Sequence, residues 1–107
     1  MSMRKVRITV VRKVRHADLI AKYENPIEHA CDLEEGQVFH VADPWTKPDG
    51  LCPSAWSTLQ PFVMALAHGA RDFYGGWMKN PDSALLSCND GFRPVSFLVE
   101  AADDLRS

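Results

Sequence analysis

Three cysteines, Cys31, Cys52 and Cys88, are the residues of this 107-residue chain best placed to do chemistry. Two of them stand in segments crowded with polar and conformationally restricted neighbours, Gly50-Leu-Cys-Pro-Ser-Ala-Trp56 and Ser87-Cys-Asn-Asp-Gly-Phe-Arg-Pro-Val95. The first sets Cys52 just ahead of a helix start, where unpaired N–H groups and the macrodipole favour an anion and so the reactive thiolate. The second puts Cys88 at a strand end, with Asp90 and Arg93 on the tight turn that follows. A carboxylate and a guanidinium beside a thiol could move a proton and clamp an anion. Taken singly, each residue also has an ordinary role. Free cysteine packs as a small hydrophobe, Asp90 is a standard turn residue, and Arg93 could serve only a surface ion pair.

Three functional readings follow. The first is a small-molecule enzyme or binding protein without a cofactor, its pocket lined by Cys52, Cys88, Asp90, Arg93 and Trp56 and suited to an anionic ligand. Cys52 or Cys88 would be the nucleophile or proton carrier, Asp90 the acid/base or orienting group, and Arg93 the clamp. The second is a metalloprotein in which Cys31, Cys52 and Cys88 hold zinc or an iron–sulfur cluster, with His29 as a fourth zinc ligand. The spacings, 21 and 36 residues, contain no CxxC pair, so this signal is weak. The third is a non-catalytic interaction module that touches RNA through a basic strand. Arg4, Lys5, Arg7, Arg12, Lys13 and Arg15 are half of the 12 basic residues, and no acid precedes them. No aromatic side chain is interleaved with them, which argues against nucleic acid as a partner. A solvated strand face that pairs with the acidic remainder explains the charges more simply.

The elements that must position these groups are legible as periodicities. Val6, Ile8 and Val10 alternate with Lys5, Arg7 and Thr9, a half-buried strand whose parity slips at Val10–Val11, where a bulge fits. Asp18 to Tyr23 has helical spacing and stops before Asn25-Pro26. Gly36 precedes a second strand, Gln37 to Val41, with Val38 and His40 on one face and Phe39 and Val41 on the other. Asp43 to Pro53 reads as an ordered loop. Ala55, Leu59, Phe62, Val63 and Leu66 form one face of a helix covering about Ser54 to His68, N-capped by Ser54 and ended by Gly69. Pro61 inside that pattern should kink the helix or begin a second segment. Arg71 to Asp82 reads as loop, and Ala84 to Cys88 and Val95 to Glu100 as strands joined by Asn89-Asp90-Gly91. The expected fold is α+β, one domain over residues 1–107, a small mostly antiparallel sheet of about four strands packed on one principal helix.

Composition sets the outer bounds. A hydrophobic share of 46% with 24% charged residues is ordinary for a globular protein. The longest apolar run, Phe62 to Ala67, is too short to cross a bilayer. An odd number of cysteines without an export signal argues for a cytoplasmic protein with free thiols. Three tryptophans in or beside loops point to a homo-oligomer that buries apolar surface between copies.

The segments GLCPSAW and SCNDGFRPV, with the basic opening strand and LEEGQVF between, resemble a family of small uncharacterised prokaryotic proteins. That family carries Cys-Pro-x-Ala-Trp and Cys-x-Asp-Gly-x-Arg-Pro-Val segments, and the likeness spans nearly the whole chain. It implies that Cys52, Pro53, Trp56, Cys88, Asp90, Gly91, Arg93 and Pro94 are signature positions. At Cys31 the family pattern is Cys-Pro, whereas Asp32 follows here.

Overall fold

The structure is a computed structural model that describes residues 3–27 and 31–102. Its elements are β1 (Lys5–Lys13), α1 (Ala17–Tyr23), β2 (Val38–Val41), α2 (Pro53–Ala67), a 3-10 turn (Phe73–Gly75), β3 (Ser83–Ser87) and β4 (Val95–Ala102). The four strands form one antiparallel sheet in the order β2-β1-β4-β3. This is the α+β arrangement that the periodicities imply, with α2 as the principal helix.

Alternation along the strands divides the sheet into two faces. Val6, Ile8 and Val10 of β1, Phe39 and Val41 of β2, Ala84 and Leu86 of β3, and Val95, Phe97 and Val99 of β4 are all buried. Ala55, Leu59, Val63, Leu66 and Ala67 of α2 close over them as one core, joined by Leu33 and Leu51 from the loops. Among the described residues, α2 is the one helix that packs broadly on the sheet. The β1 register shifts between Val10 and Arg12 where the hydrophobic parity slips. On the other side of the strand, Val10 exchanges hydrogen bonds with Gln37 and Gly36.

Two helix expectations need correction. The N-cap of α2 is Cys52, not Ser54, and Pro53 takes the first turn. Proline is well suited there because its missing N–H would have had no intrahelical partner. Pro61 neither ends nor divides the helix, which runs through it as one element of 15 residues. It stands on the exposed side, where water can replace the donor it lacks. At the other end Gly69 adopts φ +98, and the Ala70 and Gly69 amides donate back to Ala65 and Leu66. That left-handed residue lets the chain turn away from the helix.

Basic residues in and just before β1 pair with acids from the far end of the chain. Arg4 pairs with Asp82 at 3.1 Å and Arg7 with Glu100 at 3.2 Å. The half-exposed Arg7 fits the solvated-face reading of the strand, whereas the Arg4 side chain is largely buried. No helix of the described residues is long and apolar enough to cross a membrane.

Candidate functional site

Each residue of the two motifs has a definite local task. Cys52 is exposed, and its Sγ accepts a hydrogen bond from the Ala55 amide at 3.4 Å. Ser54 Oγ lies 3.9 Å from the same sulfur. The thiol therefore occupies the place of a side-chain oxygen in an N-cap, with an otherwise orphaned N–H aimed at it. Ala55 is fully buried under the first turn, and Trp56 packs half-buried against the core. The Cys-Pro-x-Ala-Trp segment is thus a helix start that holds a thiol at its rim.

The second motif closes the β3–β4 hairpin. Cys88 exchanges backbone contact with Val95 through its N–H, which donates to the Val95 carbonyl at 3.0 Å. Its Sγ accepts the Val95 N–H at 3.3 Å. Asp90 Oδ1 accepts from the Phe92 and Arg93 amides at 2.7 and 3.2 Å, so its carboxylate shapes the turn. The Arg93 guanidinium reaches the Glu24 carboxylate at 2.9 Å and ties the hairpin to the end of α1. The amide of His16, at the start of α1, donates to the Phe92 carbonyl at 2.9 Å, so the hairpin meets α1 at both ends. Arg93→Lys should therefore lower stability by no more than about 1 kcal/mol in urea unfolding, since lysine can keep a pair with Glu24. A loss above about 2 kcal/mol would show that the guanidinium fork does more than pair there.

Cys52 opens onto a recess of about 360 Å³ lined by Cys31, Asp32, Leu33, Lys47, Gly50, Leu51 and Cys52. Two of the three thiols line it, and Cys88, Asp90, Arg93 and Trp56 are not part of that lining. Gly50 is favoured in this loop by its backbone conformation rather than by lack of space. With φ +88 it lies in the left-handed region, while a side-chain carbon there would meet the Phe39 ring at an ordinary 3.5 Å. Lys47 Nζ donates to the Leu51 and Pro48 carbonyls at 2.6 and 3.3 Å, which folds the loop up to Cys52 around an ammonium group.

Upstream, the Thr46 hydroxyl and the Trp45 amide both donate to Asp43, at 2.7 and 2.9 Å. The Thr46 bond first, then the Trp45 bond, holds the Asp43 carboxyl below its usual value by favouring the ionised form. This turn sets the direction of the chain into Lys47. The contribution of Lys47 was not visible in the sequence, where its only mark is a position between Pro44 and Pro48.

The three cysteines do not come together as a ligand set. Among the described residues no group of three or more His, Cys, Asp or Glu side chains is arranged to hold a metal ion. The proposed fourth zinc ligand, His29, lies outside the described residues. His68, as expected of a residue at a helix end, caps α2, and its ring stands edge-on to Trp45 at 6.3 Å. Comparison of the sequence with protein-family profiles, with curated proteins and with solved structures found no match.

Proposed function

We propose that this protein binds a small anionic molecule in the Cys31–Lys47–Cys52 recess and that the Cys52 thiol is the group that contacts or attacks it. A single observation carries this reading. An exposed thiol sits on the N-terminus of a 15-residue helix and shares its recess with a second thiol and an ammonium group. The amide dipoles of the first turn and the Lys47 charge favour negative charge at the Cys52 side of the mouth, while the Asp32 carboxylate in the same lining opposes it. Cys31, half-buried in the same wall, would contribute a second soft contact. Within the resemblance to small prokaryotic proteins, the Cys-Pro-x-Ala-Trp segment belongs to this recess. The Cys-x-Asp-Gly-x-Arg-Pro-Val segment belongs to the scaffold, with Asp90 and Arg93 as structural residues.

Competitive alkylation with mass-spectrometric mapping tests the reading. Cys52 should be labelled first, since Cys31 and Cys88 are only partly exposed. Its preference for iodoacetate over iodoacetamide should exceed that of a free cysteine peptide by roughly two- to fivefold. That is the ratio expected from about 0.5–1 kcal/mol of charge and dipole attraction. Lys47→Gln should lower the ratio. If Cys52 alkylates no faster than the free peptide and shows no anionic preference, the recess is not a site of this kind.

A further inference from the structure

The sheet has a second face that no helix among the described residues packs broadly against. Its side chains are fixed by the strand registers: Val38 lies opposite Thr9, Thr9 opposite Leu98, and Leu98 opposite Leu85. One row therefore crosses all four strands and is apolar except for the threonine. Val38 and Leu85 at its ends are 43% and 53% exposed. One step along the strands the next row runs His40, Arg7, Glu100, Ser83, of which Ser83 is buried with its hydroxyl donating to the Asn80 carbonyl. Its two central members are opposite charges on neighbouring strands, joined at 3.2 Å.

We propose that this face is the interface between two copies of the chain, related by a two-fold axis that runs parallel to the strands between β1 and β4. Charge placement selects both the partner and the axis. That two-fold reverses the strand order while keeping each row level, so β1 of one copy lies over β4 of the other. Arg7 then faces the second copy's Glu100, Glu100 faces its Arg7, and the Val38–Thr9–Leu98–Leu85 row meets itself in reverse. A two-fold perpendicular to the strands would set Arg7 against Arg7 or against the region of Arg12, which repels. The self-complementary pattern is what an isologous contact requires. Size bounds the strength of the contact. Strands of 9, 4, 5 and 8 residues at about 3.4 Å each, about 4.8 Å apart, give a footprint of roughly 420 Å². A pleated surface exposes more than its footprint, but the contact stays below the ~800 Å² that each partner buries in a standard interface, which suits a concentration-dependent dimer. Two aligned sheets would then pack face to face at about 10 Å.

Sedimentation velocity across a concentration series tests the assignment. The wild-type chain should reach dimer mass by high micromolar concentration. Arg7→Glu and Glu100→Arg, each alone, should raise the dissociation constant at least about a hundredfold, because like charges then face each other. Mixing the two variants should restore the dimer, since every facing pair is again opposite in sign. Leu85→Glu, at an exposed edge position, should weaken association independently and without touching the core; circular dichroism would verify that each variant is folded. A wild-type monomer at high micromolar concentration overturns the proposal. So does a dimer that survives both charge reversals and Leu85→Glu, because it would be built on another surface.

Discussion

Phe97→Ala should lower the free energy of unfolding by about 3–5 kcal/mol, the range found when a large buried aromatic is truncated in a packed interior. Phe97 lies on β4, is 0% exposed, and is paired across the sheet with Val10 on one side and Leu86 on the other. Both neighbours are themselves buried, and the core of α2 closes over them. Chemical denaturation monitored by circular dichroism measures the loss directly. In a domain of this size the total is about 5–15 kcal/mol, so the change would leave a marginal fold. A loss below about 1.5 kcal/mol would mean that the ring is not the packed centre described. The prediction also bears on function, because α2 has Cys52 at its N-cap. A helix that loses its seat on β4 no longer fixes the recess, so the anionic preference of Cys52 should fall together with stability in this variant.

The reason this core was legible in the sequence is that each element shows its period. Val6, Ile8 and Val10 alternate, Val38 to Val41 alternate, and Ala55, Leu59, Phe62, Val63 and Leu66 recur at helical spacing. The inward members of those sets are buried except Phe62, which is half-buried at the edge of the core. Even the bulge was visible, as a break in parity at Val10–Val11. The start of α2 was displaced by two residues because Ser54 is a stronger capping type than cysteine. In the structure Ser54 is already inside the helix, its carbonyl accepting the Ser57 hydroxyl at 2.7 Å, and the sulfur of Cys52 takes the cap instead.

The candidate site was less legible, for a physical reason. Proximity in sequence placed Cys88, Asp90 and Arg93 together, and they are together, but their polar groups are used locally. Asp90 bonds the amides of its own turn, and Arg93 pairs with Glu24, which is 69 residues away. No local pattern announces a partner at that distance. The same holds for Cys31 and Cys52, which line one recess through a loop whose course depends on Gly50, Lys47 and the Asp43 turn. The basic strand shows the limit from the other direction. Its charges are obvious in the sequence, yet Arg4 and Arg7 look alike there and do different work.

Arg4→Ala should cost about 2–4 kcal/mol of stability, far more than an ordinary surface arginine. Its Nε donates to the Leu66 carbonyl at 3.0 Å, one terminal nitrogen to the Ala70 carbonyl at 2.9 Å, and the other to Asp82 at 3.1 Å. Its side chain is 13% exposed. One guanidinium thus joins the start of β1, the C-terminal end of α2 and the entry to β3. Carbonyls at a helix end have lost their intrahelical donors, and a fixed cation there also complements the negative end of the macrodipole. Asp82 would keep its second partner, Arg71, at 3.2 Å, which limits the damage on that side. The Arg4 amide bond to the Ala67 carbonyl is backbone and survives the substitution. Arg4→Lys should recover only part of the loss, because one ammonium cannot reproduce the planar fork that meets three acceptors. Since the group is largely removed from water, raising the salt concentration should change the difference little. The recess at the opposite end of α2 provides the internal control. In Arg4→Ala the alkylation preference of Cys52 should persist under conditions where the variant is fully folded. A stability change below about 0.5 kcal/mol would reduce Arg4 to one more solvated charge on the strand.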